Sequence, residues 1–169
     1  IPPRVDQHTN GVDARFTLSH GEHELSMDAA GWDEVSFAGR WPMGIVDYAS
    51  KKTPLQVKLK AYSPFIPLDL ESSRLPVTVL EYSVTNPTDQ AAQVSLTGHL
   101  NNPAGQFSGR ESERFSEDLA LGSPSGIFHG LKGDASELDA GSMAFSVIDA
   151  DAAKVDVEAN TIEIPASIP

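Results

Sequence analysis

Cysteine is absent from all 169 residues, so neither a disulfide framework nor a thiolate metal site can be built. A chain of this length needs no such staple, because a globule of its size buries roughly 70% of its unfolded surface. That absence leaves the compartment open, since a domain with an adequate core can be secreted without disulfides. Long hydrophobic runs are also missing. The longest cover a handful of residues, against the roughly 20 that a bilayer-crossing helix requires, and no membrane span is expected. The opening residues IPPRVDQ do not form a signal peptide, and a start at Ile1 without methionine leaves room for an upstream segment. Basic residues are scarce: 12 Lys and Arg face 24 Asp and Glu, for a net charge of -12. That field repels phosphate backbones and anionic membrane surfaces, so no nucleic-acid partner is expected.

Apolar residues on every second position are abundant instead. Leu55, Val57, Leu59 and Ala61 alternate with Gln56, Lys58, Lys60 and Tyr62, which is the period of a half-buried strand. Thr78, Leu80, Tyr82 and Val84 form a second such phase, closed by the turn residues Asn86-Pro87-Thr88-Asp89. Val94, Leu96 and Leu100 begin the next strand. Upstream, Phe16 and Leu18, then Leu25 and Met27, flank His20-Gly21-Glu22-His23, where glycine at the first central position predicts a two-residue type II′ hairpin. Asn10-Gly11 is another turn signal, with Val12 and Ala14 in phase with Phe16. Downstream, Met143, Phe145 and Val147, then Val155 and Val157, then Ile162 and Ile164, predict three more short strands. The fold class is therefore all-β, an antiparallel β-sandwich, with Leu59, Leu80, Tyr82, Val84 and Leu96 directed into the core. The interval 101–125 is too long for an ordinary sheet connection. It is read either as one or two helical turns capped by Ser108, with Phe115 and Leu119 on one side, or as a solvated loop.

Between the two strongest strands lies Ser63-Pro64-Phe65-Ile66-Pro67-Leu68-Asp69. The run YSPFIPLDLESSRLPVTVLEYSVTN (62–86) resembles the N-terminal domain of glycoside hydrolase family 116, the family of bile acid β-glucosidases and non-lysosomal glucosylceramidases. The resemblance extends to GRWPMGIVDYASKKTPLQVKLKA upstream and to GIFHGL and SMAFSVID downstream. Its specific part is the spacing of the prolines with Asp69, Ser72, Ser73 and Asn86. It implies one β-sandwich domain over 1–169, the N-terminal part of a larger hydrolase. In that family the nucleophile and the acid/base belong to a separate helical (α/α)6 domain. No motif of that domain is present here, so the chain alone is expected to be inactive, with the helical catalytic domain of the same protein as its partner. The residues expected to touch that domain are Pro64, Phe65, Ile66, Pro67 and Asp69 of the proline segment, and Trp41.

Chemistry within the chain itself is sparse. A retaining glycosidase needs two carboxyl groups about 5 to 5.5 Å apart; Asp69 and Glu71 lie in what the resemblance makes scaffold, and they are expected to fix the loop. His20 and His23, even with Glu22 or Glu24, supply too few ligands in suitable spacing for zinc. His129, between apolar neighbours, is expected to be a hydrogen-bonded structural imidazole. Asp149, Asp151, Asp156 and Glu158 lack the glycine of a calcium loop. No catalytic residue, metal or cofactor is therefore assigned. Trp32, Trp41, Tyr48 and Tyr62 are the aromatics available for stacking on a sugar, with core or interdomain packing the expected use of Trp41 and Phe65. The alternative to a hydrolase part is a free-standing module that binds carbohydrate or a protein through an open aromatic strip.

Overall fold

The alternating segments become twelve strands in the computed structural model, which describes residues 12–119, 125–133, 140–148 and 152–169. In chain order they are β1 (Ala14–His20), β2 (His23–Ser26), β3 (Glu34–Arg40), β4 (Met43–Ser50), β5 (Thr53–Tyr62), a one-turn helix α1 (Leu70–Ser73), β6 (Val79–Thr85), β7 (Ala92–Leu100), β8 (Arg114–Asp118), β9 (Ser125–Leu131), β10 (Met143–Val147), β11 (Lys154–Asp156) and β12 (Thr161–Ile168). They form antiparallel sheets ordered β11-β12-β7-β1-β2, β10-β9-β8 and β3-β4-β5-β6. The expectation of an all-β, sandwich-type fold holds. The residues fall into two compact units, one drawn from the chain up to Thr17 and from Ser95 to Pro165, the other from Leu18 to Val94 and Ala166 to Pro169. β1, β7 and β12 contribute residues to both.

The second unit shows how the period of two becomes a core. Antiparallel register lines up three rows on one face of its four-stranded sheet: Val35-Tyr48-Val57-Val84, then Phe37-Val46-Leu59-Tyr82, then Gly39-Gly44-Ala61-Leu80. Directly opposed residues share a face, so one buried member locates its row. Tyr48, Leu55 and Val57 pack with Leu18, Leu25, Ala92 and Val94 from the strands of the other sheet, and with Val46, Leu59, Tyr82 and Val84 at the margin. Trp32 seals this cluster, its ring 5.4 Å from that of Tyr48. The third row lies beyond the cover. Leu80 has the predicted phase but is 38% exposed, so its expected place in the core is corrected: strand phase chooses a face, and only the reach of the opposite layer decides burial. The His20–His23 turn is the predicted one, because Gly21 has φ +60° whereas Glu22 is not left-handed, the combination that defines type II′.

In the first unit β8, β9 and β10 pair in register, with Phe115 opposite Gly130 and Ile127 opposite Phe145. Gly98 on β7 is required by close approach, since a Cβ there would stand 2.5 Å from Phe145 and 2.9 Å from Phe16, whose rings meet edge to face. Leu96 is half-buried. The interval 101–125 corrects the helical alternative. Its only helix among the described residues is a 3-10 turn, Glu111–Glu113, and Phe115 lies in a strand. Ser108 bonds back to the Gly105 carbonyl rather than capping a helix. The strand wins because β9 offers β8 a complete backbone ladder, while the polar run RESER has no apolar face to hold a helix down. Asn102 organises this region: its Nδ2 donates to the Phe115 and Gly130 carbonyls, each at 2.9 Å, and its Oδ1 accepts from Ala104 N at 3.0 Å. The Asn10-Gly11 turn lies outside the described residues.

Candidate functional site

The segment between β5 and β6 is built from its prolines outward. Ile66 accepts a hydrogen bond from Asp69 N at 3.0 Å, with Pro67 at the first corner and Leu68 at φ +69° at the second. That is a type II turn, in which proline pre-sets the first corner and the second demands a left-handed residue. Glycine is the usual occupant; a leucine there costs about 1–2 kcal/mol, and strain of this kind concentrates at functional positions. Asp69 then caps α1: Oδ1 accepts from Ser72 N at 3.1 Å and Oδ2 from Ser72 Oγ at 2.7 Å. The bond from the Ser72 backbone N–H is the main reason its carboxyl is held below the ordinary aspartate value. Ser73 Oγ bonds both the N–H and the carbonyl of Ile66, and Arg74 pairs with Glu71 at 2.7 Å. The polar groups of the segment thus satisfy one another.

Its apolar groups face water. Phe65, Ile66, Leu68, Leu70, Leu75 and Val77 are all exposed, Leu68 completely. Trp41, at the β3–β4 turn beside cis-Pro42, is 77% exposed, and its ring meets that of Phe65 at 4.5 Å in an edge-on arrangement. Of the expected contact residues, Trp41 and Phe65 are therefore brought together. Ile66, Pro67 and Asp69 form the turn behind them, and Pro64 is half-buried. Asp69 faces its own helix rather than outward. Leu68, Leu70, Leu75 and Val77 were missed, because an isolated apolar residue in a sequence is assigned to a core by default; the left-handed turn at Leu68 has no glycine to announce it. A rigid loop with an apolar outer surface is the kind of exposed patch that marks an interaction site.

The other candidates are in part locally bonded and in part simply exposed. His20 Nδ1 lies 2.9 Å from Thr53 Oγ1, His23, Glu22 and Glu24 are exposed, and no cluster of three ligating residues occurs among the described residues. Asp156 accepts from Ala159 N and Glu158 is exposed, while Asp149 and Asp151 lie outside the described residues. Trp32 and Tyr48 belong to the core, which removes them as sugar platforms. Tyr62 is half-buried opposite Met43. Asp69 and Glu71 are each engaged, with Ser72 and Arg74 respectively.

His129 is completely buried, with Nδ1 2.8 Å from Ser116 Oγ and Nε2 lacking a hydrogen-bond partner among the described residues. Burial holds its pKa below the ordinary 6.5; the Leu100 backbone acts in the opposite direction and His99 adds to the lowering. As pH falls through about 6.5 the unfolded chain therefore takes a proton that the folded chain refuses, and stability declines until the folded ring titrates as well. Urea midpoints measured between about pH 8 and about pH 5 are expected to fall on the acid side, with a shallower fall in His129→Gln. Equal slopes in both proteins would show that His129 has no part in it.

One comparison bears on this arrangement: a family model described as beta-glucosidase 2, glycosyl-hydrolase family 116 N-term matches residues 6–163.

Proposed function

The chain belongs to the N-terminal domain family of glycosyl hydrolase family 116, and from that premise we propose that it is a non-catalytic docking domain whose exposed loop packs on a separate helical catalytic domain and helps shape its cleft. The observation that carries this reading is the loop Ser63–Thr78. Its polar groups are paired within the loop, its apolar side chains are exposed, and a left-handed leucine stands at its tip. Pre-ordering of this sort lowers the entropy lost on docking. A desolvated aromatic such as Phe65 or Trp41 is the typical anchor of an interface, worth about 2 kcal/mol or more. Carbohydrate binding by the same Trp41–Phe65 pair is the competing use. The rings meet edge-on, which leaves less open flat face than a sugar platform requires.

The test is made in the full-length hydrolase that carries this domain. Phe65→Asp combined with Ile66→Asp is expected to lower turnover of a chromogenic β-glucoside about tenfold and to make the junction between the domains more susceptible to protease, because two charges must be desolvated in the interface. The 169-residue chain alone is expected to give no turnover. Unchanged activity, thermal midpoint and protease pattern in the double variant would refute docking through this loop. Turnover by the isolated chain that vanished in Asp69→Ala or Glu71→Ala would refute the non-catalytic assignment. Saturable binding of a cello-oligosaccharide lost in Trp41→Ala, with docking intact, would favour the sugar-binding module.

A further inference from the structure

β3 is an edge strand, with β4 on one side and no strand among the described residues on the other. All seven of its residues, Glu34–Arg40, are exposed. Along such an edge every second residue turns its N–H and C=O away from the sheet, a template for another strand. Folded proteins usually guard these edges with charged side chains along the strand, with proline or with a bulge. The segment EVSFAGR instead carries an acid at one end and a base at the other, and neither Glu34 nor Arg40 is in an ion pair among the described residues.

That arrangement complements itself. We propose that β3 pairs antiparallel with β3 of a second copy of this chain about a two-fold axis at Phe37, joining two four-stranded sheets into one. In this register Glu34 faces the partner's Arg40 twice, Val35 faces Gly39, Ser36 faces Ala38, and the two Phe37 side chains lie side by side. Opposed residues must point to the same face, so a symmetric pair can only shift in steps that keep residue parity. Shifting the axis to Ser36 or Ala38 breaks both Glu–Arg pairs. Phe37 is the apolar element of the contact. It stands in the second row of the sheet face beside Val46, yet it is 73% exposed. Its ring lies along Gly44 and Gly39, where added Cβ atoms would meet it at 3.0 and 3.5 Å. Cross-strand pairing of the two rings would cover the side that Gly44 does not. The proposal uses the β3 edge and none of the loop residues assigned to docking, so the two stand or fall separately.

Sedimentation equilibrium of the 169-residue chain is expected to show a concentration-dependent monomer–dimer equilibrium. Because each substitution enters a two-fold interface twice, Arg40→Glu and Glu34→Arg should each weaken the dimer about tenfold. The double exchange Glu34→Arg with Arg40→Glu should restore it to within about threefold of the original. Circular dichroism of each variant separates lost pairing from lost folding, and a variant that unfolds is replaced by Arg40→Gln, for which a smaller weakening is expected. A chain that remains monomeric at every attainable concentration overturns the proposal. So does a dimer in which the double exchange is no tighter than the single ones.

Discussion

Leu55→Ala is expected to destabilise the unit built on β3 to β6 by about 2–5 kcal/mol, the usual cost of truncating a leucine in a sealed core. Leu55 is 1% exposed and sits among Leu18, Leu25, Val57 and the Trp32–Tyr48 pair, where neighbours fixed in sheets cannot collapse into the space left behind. Leu80→Ala is the internal control. It removes the same atoms from the same sheet face, but from the row the opposite layer does not cover, and a loss under about 1 kcal/mol is expected. Urea unfolding followed by fluorescence of buried Trp32 measures both. Equal losses at the two positions would show that the uncovered third row is wrongly described.

Asn102→Ala should cost the other unit about 2–4 kcal/mol, through unpaired groups rather than through a cavity. The amide holds the carbonyls of Phe115 on β8 and Gly130 on β9, and receives the N–H of Ala104. The side chain is buried, so methyl in its place leaves two acceptors and a donor with restricted access to water. Asn102→Asp makes the argument sharper. It replaces the donating NH2 by a carboxylate oxygen facing two carbonyls, so the damage should be larger at neutral pH and partly relieved by acid, when the carboxyl regains a proton to donate. Hydrogen exchange at the β8 and β9 amides reads the effect locally. Protection unchanged in both variants would show that the strands hold without the clamp.

Much of the architecture was legible because it is local. The alternation in Leu55–Ala61 and Tyr82–Val84, the Gly21 turn and the Asn86 turn, where Asn86 Oδ1 accepts from Thr88 N, depend on neighbours one to four residues away, and those the chain displays directly. The interval 101–125 was not legible for the complementary reason: β8 exists through its ladder to β9, and no apolar period in RFSED announces it. The loop from Ser63 to Asp69 was legible as a proline-ordered element. The pairing of Phe65 with Trp41 and the left-handed Leu68 were not, since the first joins residues 24 positions apart and the second contradicts the preference of the residue that adopts it.

By itself the sequence determined the strand periods, the lack of any staple or thiolate site, and a family membership that the proline segment displays in one dimension. These follow from short-range sterics and from which side chains avoid water. The tertiary structure alone decided which apolar residues stay wet. Leu80, Phe37, Phe65 and Leu68 are as hydrophobic as Leu55 and Leu18. Their exposure reflects where the covering layer ends and where a turn points outward, both of which are set by the packing of distant segments and not by the residues themselves.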